Sequence, residues 1–176
     1  AYIVSEIKKK YPKVRVEILI PDFQGDVEAL KIVIEAKPDV INHHMETVPS
    51  LYSVARRGSI FKRSLQLLKD VKSLAPHILT KSGVMVGLGE STEELHATFK
   101  EIATANVDIL TVGQYLKPTK DNLDVAKYYE LHEYEDLKKE AEQMGFRYVF
   151  SGPMVRSSYF AEHVFEESNE HELFST

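Results

Sequence analysis

At 176 residues, 43% hydrophobic and 28% charged, the chain can bury one hydrophobic core, and its make-up is that of an ordinary globular domain. Its formal charge of −5 excludes a broad phosphate-binding surface, which needs clustered Lys and Arg. The absence of cysteine excludes disulfides, a thiol nucleophile, Cys-ligated zinc and any iron–sulfur cluster held by the chain's own thiolates. No apolar run nears the roughly 20 residues that span a bilayer, and no signal-peptide pattern is present, so a cytoplasmic location is expected, or an organelle in a eukaryote.

The chain opens at Ala1 in an amphipathic stretch that runs to Lys10. Helices seldom begin without a cap, so a truncated N-terminus is expected. Residues 14–20 read as a strand closed by Pro21, and Gly25-Asp26 leads into a helix to about Lys37, with Leu30, Val33 and Ile34 at helical spacing. A second strand is expected at 39–43, followed by a loop with a short helical turn at 48–58. A helix follows from Phe61 to Leu74, striped by Phe61, Leu65, Leu68 and Val71.

A third strand at 82–87 flows into Leu88-Gly-Glu90. Ser91 and Glu94 have capping-box spacing and start a helix that buries Leu95, Phe99 and Ile102. A fourth strand is expected at 108–115 and a polar loop at 118–124. A helix from about Glu133 to Met144 should stop at Gly145, and a fifth extended segment spans 146–150. The acidic stretch 162–176 lacks a core pattern and reads as a frayed tail, leaving one domain over 1–161.

Strand–helix alternation of this kind predicts an α/β fold of parallel βαβ units, part of a barrel. Reactive groups of such barrels sit at the C-terminal ends of the strands. Polar or glycine-rich residues fall there: Asp22, Asn42 to Glu46, Gly87 to Glu90, and Gln114-Tyr115. The Gly83-x-x-x-Gly87-x-x-Glu90 spacing lets a strand end approach a flat ligand. It equally suits a tight turn that sets Glu90 by a helix N-terminus. His43 and His44 are adjacent on a strand, so they should point to opposite faces and not share a metal. Arg156, beside two serines, reads equally as a loop that bonds its own backbone.

Leu19 to Phe23, Asn42-His43, Glu46 to Pro49, Ser64-Leu65, Thr80 to Gly83, Gly87 to Glu90, Gly113 to Leu116, Met144 to Phe146, Ser151 to Pro153 and Val155 to Tyr159 together resemble the lipoyl synthase family in order and spacing. The likeness runs from about Ile3 to Ala161. His44 departs from it, because Asn is usual there, and Met85 stands where the adenosine-side motif of radical-SAM barrels has Ile.

The resemblance implies a partial radical-SAM (β/α) barrel and a sulfurtransferase. It also implies iron–sulfur, metal-binding character in the complete enzyme: two [4Fe–4S] clusters and S-adenosylmethionine. One cluster, on a C-x3-C-x2-C motif, would cleave S-adenosylmethionine. The other would supply sulfur to an octanoyl chain on a lipoyl-domain carrier, either the acyltransferase subunit of a dehydrogenase complex or the glycine-cleavage H protein. Both cysteine motifs would lie upstream of Ala1, so this chain alone is expected to be inactive. By the same resemblance, Asn42, Glu46, Gly83, Gly87, Glu90, Gln114 and Tyr115 would line the S-adenosylmethionine side. Ser157 would be the oxygen ligand of the auxiliary cluster, ahead of Ser158. A non-catalytic binding module of the same fold is the alternative. A phosphate-binding barrel fits poorly, since Gly113 to Lys117 is not a phosphate loop.

Overall fold

The structure, a computed structural model, describes residues 1–158. The helices are α1 (Tyr2–Lys10), α2 (Val27–Glu35), the single turn α3 (Tyr52–Ala55), α4 (Phe61–Leu74), α5 (Thr92–Thr104) and α6 (Leu131–Gln143). Interleaved with them are β1 (Glu17–Leu19), β2 (Val40–Asn42), β3 (Leu79–Val86), β4 (Ile109–Gln114) and β5 (Tyr148–Gly152). The strands form one sheet in chain order, and every neighbouring pair is parallel.

Local chemistry sets the helix starts. Asp26 accepts hydrogen bonds from the Glu28 and Ala29 amides at the head of α2. Ser91 and Glu94 close the expected capping box on α5. A second box, Glu130 with Glu133, starts α6 at Leu131, two residues before the apolar pattern suggested. Gly145 follows the end of α6 at φ +97°, where a side chain would be strained.

Pairing partners decide where strands end. β3 begins at Leu79, three residues before the expected start, because Leu79 to Lys81 pair with Val40 to Asn42. β1 is shorter than the apolar run 14–20, since β2 offers it only three partners. β5 runs on to Gly152 because β4 still has Val112 and Gly113 to pair with Ser151 and Gly152. The acidic stretch from 162, and Tyr159, lie outside the described residues.

The period-2 alternation sorts side chains between two faces. Val84, Val86, Leu110 and Val112 join Leu65, Leu68, Phe99, Ile102, Tyr134 and Leu137 in the main core, which fills the helix side. Ile41 packs with Leu30, Val33, Leu67 and Val71 in a second cluster under α2 and α4. Crossovers between parallel strands are right-handed in nearly all proteins, so strands in unbroken chain order keep their helices on one side. The other face is left for the site.

Among the described residues β1 is an edge with no neighbour on one flank. Leu19 is 61% exposed there, and Tyr2, Ile3, Tyr11 and Val14 are also exposed nearby in sequence. An open parallel edge beside apolar surface is a template for association. The isolated chain should therefore sediment with a concentration-dependent mass and bind a hydrophobic dye. Leu19→Lys should reduce both, and a dye-silent monomer at all concentrations would contradict this account of the edge.

Candidate functional site

The inner face is layered along the strands. At its N-terminal end Val40 and Ile109 pack with Leu79, Tyr148 and Phe150 to form an apolar floor. Beside it, in the same rows of the sheet, lies a charged belt on β1 to β3. The Lys81 ammonium, with no side-chain exposure, donates to the Glu17 carboxylate at 3.1 Å, and the Asn42 amide donates to the other Glu17 oxygen at 3.1 Å. A buried charge needs such a partner, and this pair ties β3 to β1 across β2.

Small residues follow above the belt. Gly83 pairs with Thr111, and Met85 with Gly113 and then Gly152. The result is a cavity of about 320 Å³ at the strands' C-terminal ends, whose lining includes His44, Glu46, Gly83, Thr111, Gln114, Arg156 and Ser157. That is the size and position expected of a small-molecule site.

Two of its glycines are spent on the protein's own packing. A Cβ at Gly83 would overlap the His44 ring and lie 2.7 Å from the Thr111 hydroxyl. One at Gly113 would run into the Val155 carbonyl, so Gly113 is what lets the segment after β5 cross the top of β4. The glycine in β4 was the sequence signal for that approach. Sequence reading missed Thr111 and Gly113 as lining, and it missed the Lys81–Glu17 pair. The signal for the pair was two charged residues within otherwise apolar strands.

The residues expected to line a cofactor fall into three groups. Glu46, Gly83 and Gln114, together with Ser157, line the cavity. Asn42 lies below it in the belt, with its Oδ1 buried and unpartnered. Tyr115 lines an adjoining groove of about 530 Å³ between α3 and residues 116–123, and that groove shares Met85 and Leu116 with the cavity.

Gly87 and Glu90 form the turn after β3. Glu90 accepts from the Gly87 amide at 2.6 Å, the Leu88 amide at 2.9 Å and the Tyr129 hydroxyl at 3.0 Å. The Gln114 carboxamide donates to the carbonyls of Val86, Tyr115 and Lys127, and accepts from the Tyr129 amide and the Tyr134 hydroxyl. Arg156 donates to its neighbour's carbonyl, as a self-bonded loop would.

Electrostatics distinguish the groups at the cavity. Burial pushes the Glu46 carboxyl above the usual carboxylate range, with Arg56 and His43 acting in the opposite sense. Glu46 also sits at φ +69°, a conformation uncommon for a side-chain-bearing residue. Its amide and carbonyl are clamped between the Gly83 carbonyl and the Met85 amide, which fixes the strained position. Desolvation lowers both histidines. His43 holds the Ile20 carbonyl through Nδ1, whereas His44 turns to the cavity and the Gly83 backbone. The two rings part as expected, although β2 ends at Asn42 and both histidines lie just beyond the strand and not on it.

The expected metal-binding, iron–sulfur character is corrected for this chain. It contains no cysteine, and among the described residues no group of three or more His, Asp or Glu is placed to hold a metal. One serine oxygen does not make a cluster site, so the residues present do not fit a [4Fe–4S] group. Among the described residues no helix is long and apolar enough to cross a membrane.

The parallel sheet, with its site at the strands' C-terminal ends, has the architecture of a partial (β/α) barrel. The sequence pattern of the radical SAM superfamily matches residues 1–102, and the chain belongs to that superfamily. Within it the chain is similar to the lipoyl synthase of Koribacter versatilis, 51% identical over 169 residues, covering 96% of this chain and 55% of that protein. It is 49% identical to the lipoyl synthase of Desulfotalea psychrophila, covering 94% and 56%. The chain thus spans about half the length of the curated relatives it matches. Methylornithine synthase (PylB) shares the fold, with a TM-score of 0.64 at 15% identity, covering 97% of this chain and 61% of that one.

The histidines give the site a pH signature. A His whose folded pKa lies below its unfolded value takes up its proton later in the folded state, so stability declines as pH falls from about 7 toward the lowered value. His44→Asn should remove part of that decline. Unfolding in urea at about pH 7 and about pH 5.5 measures it, and an identical loss in the variant and the wild type would rule out His44 as a source.

Proposed function

We propose that this chain is a non-catalytic binding module of radical-SAM fold, holding the S-adenosylmethionine side of a lipoyl-synthase-type site. The observation that carries the reading is the pairing of a formed cavity at the strand ends with a sequence that lacks every cysteine. S-adenosylmethionine fits the donor set. Its sulfonium and ammonium charges suit the half-buried Glu46 carboxylate, its hydroxyls suit His44 and Thr111, and its flat base suits the groove beside Met85 and Tyr115. This chain's residues bind and orient the ligand. Asn42 and Lys81 act from below by holding the belt on which the cavity rests.

A second reading rests on the extent of the likeness, about half identical over 94% or more of this chain but only 55–56% of each relative. With the remainder supplied by cysteine-bearing polypeptide, the same cavity would serve sulfur insertion into an octanoyl chain on a lipoyl-domain carrier, in the cytoplasm or an organelle. The coding DNA upstream of Ala1 separates the two readings.

Calorimetry on the isolated chain should show binding of S-adenosylmethionine and S-adenosylhomocysteine, with the cationic ligand favoured. A carboxyl raised by burial ionises only above its shifted value, so that preference should grow as pH rises toward 7. Glu46→Gln should abolish the preference and weaken S-adenosylmethionine by about tenfold, as loss of a charged partner does. No deoxyadenosine should form with reductant. Deoxyadenosine production by the cysteine-free chain, or no binding of either ligand, would defeat the proposal.

A further inference from the structure

Residues 115–130 form sixteen consecutive positions without helix or strand, yet they are tied down along their length. The Tyr115 hydroxyl donates to the Leu123 carbonyl at 2.9 Å, and the Ala126 amide donates to the Gly87 carbonyl at 2.8 Å. The Lys127 carbonyl accepts from the Gln114 carboxamide at 3.0 Å, and the Tyr129 amide donates back to the same carboxamide at 3.1 Å. The Tyr129 hydroxyl is held by Glu90. A Cβ at Gly87 would overlap both Gln114 and the Lys127 carbonyl, so glycine there is what lets this segment lie against the turn.

A loop of this length without regular structure is uncommon in a compact domain unless it has a task. Its first half supplies one wall of the 530 Å³ groove through Leu116, Pro118 and Leu123, facing Val54 on α3. The wall is soft: Leu116 and Pro118 are exposed, and Lys117–Asp124 is a surface ion pair. The hold comes from the far end, where the Gln114 carboxamide is buried.

We propose that residues 116–130 are a strap whose position sets the width of the groove, and that Gln114 is the positioning residue that fixes it. Gln114 acts through the strap and not by bonding the ligand, because both ends of its carboxamide are already occupied by Val86, Tyr115, Lys127, Tyr129 and Tyr134. Leucine at this position keeps the bulk and removes every one of these bonds, leaving the Lys127 carbonyl and the Tyr129 amide without their anchor. The inference rests on the reading of the cavity and groove as a site for S-adenosylmethionine.

The test uses the whole chain, wild type and Gln114→Leu, with two readouts on each protein. Limited trypsin digestion, followed by mass spectrometry, reports cleavage after Lys120 and Lys127. Calorimetry reports the affinity for S-adenosylhomocysteine. Cleavage within the strap should quicken about tenfold in Gln114→Leu while cleavage in α4 and α5 stays unchanged, and affinity should fall by about tenfold. Tyr129→Phe, which deletes only the bond to Glu90, should move both readouts the same way by about threefold, and it decides the matter if Gln114→Leu does not fold. Saturating ligand should slow strap cleavage in the wild type.

Weakened binding without faster strap cleavage would make Gln114 a direct contact and overturn the positioning role. Faster cleavage with unchanged affinity would overturn control of the groove by the strap. If the wild type binds neither S-adenosylmethionine nor S-adenosylhomocysteine, the proposed function fails first, before any variant is compared.

Discussion

Everything in this molecule depends on five parallel strands lying side by side in chain order. With right-handed crossovers, that order roofs one face of the sheet with helices and leaves the other bare. The helix face obeys ordinary packing, with Phe99, Ile102, Val112 and Leu68 fully buried against one another. The bare face cannot be packed in that way and is graded along the strands instead. The apolar floor and the Lys81–Glu17 belt share its lower rows, and small residues occupy the top.

The belt bears the greatest electrostatic cost. A lysine with no side-chain exposure is tolerated because Glu17 accepts from it across β2, and the Asn42 amide donates to the same carboxylate. The same contacts hold the three-residue strands β1 and β2 to the longer β3, which offers more backbone bonds than either of them. At the strand ends burial disfavours charge on Glu46, His43 and His44 alike.

Much of the fold was legible in the sequence. Helical spacing located α4 from Phe61 to Leu74 without error, and the Ser91–Glu94 box marked the start of α5. Strand ends were less legible, because the sequence of one strand does not say how long its neighbour is. Of the candidate site, the strand-end clusters gave Glu46 and Gln114, and the glycine spacing gave Gly83, which the fold gathers in one place. What the sequence could not display was how residues far apart divide their hydrogen bonds. Gly87-x-x-Glu90 and Gln114 look alike as candidates for ligand contact. In three dimensions Glu90 is occupied by two amides and a tyrosine, and Gln114 by the strap. The iron–sulfur expectation failed for a simpler reason, since it came from a family whose members this chain spans by only about half, and this chain has no thiolate to offer.

The central claim is that the upper inner face of the sheet receives the adenosine-bearing ligand while the floor and the helix side do not. Amide resonances of the isotopically labelled chain, followed during titration with S-adenosylmethionine, test it most directly. Gly83, Thr111 and Gly113 should shift in a saturable way, with Glu46 moving alongside them. Val40 and Ile109 on the floor, and Leu68 and Phe99 on the helix side, should stay where they are. Shifts confined to the helix side, or a spectrum unchanged at millimolar ligand, would contradict the account.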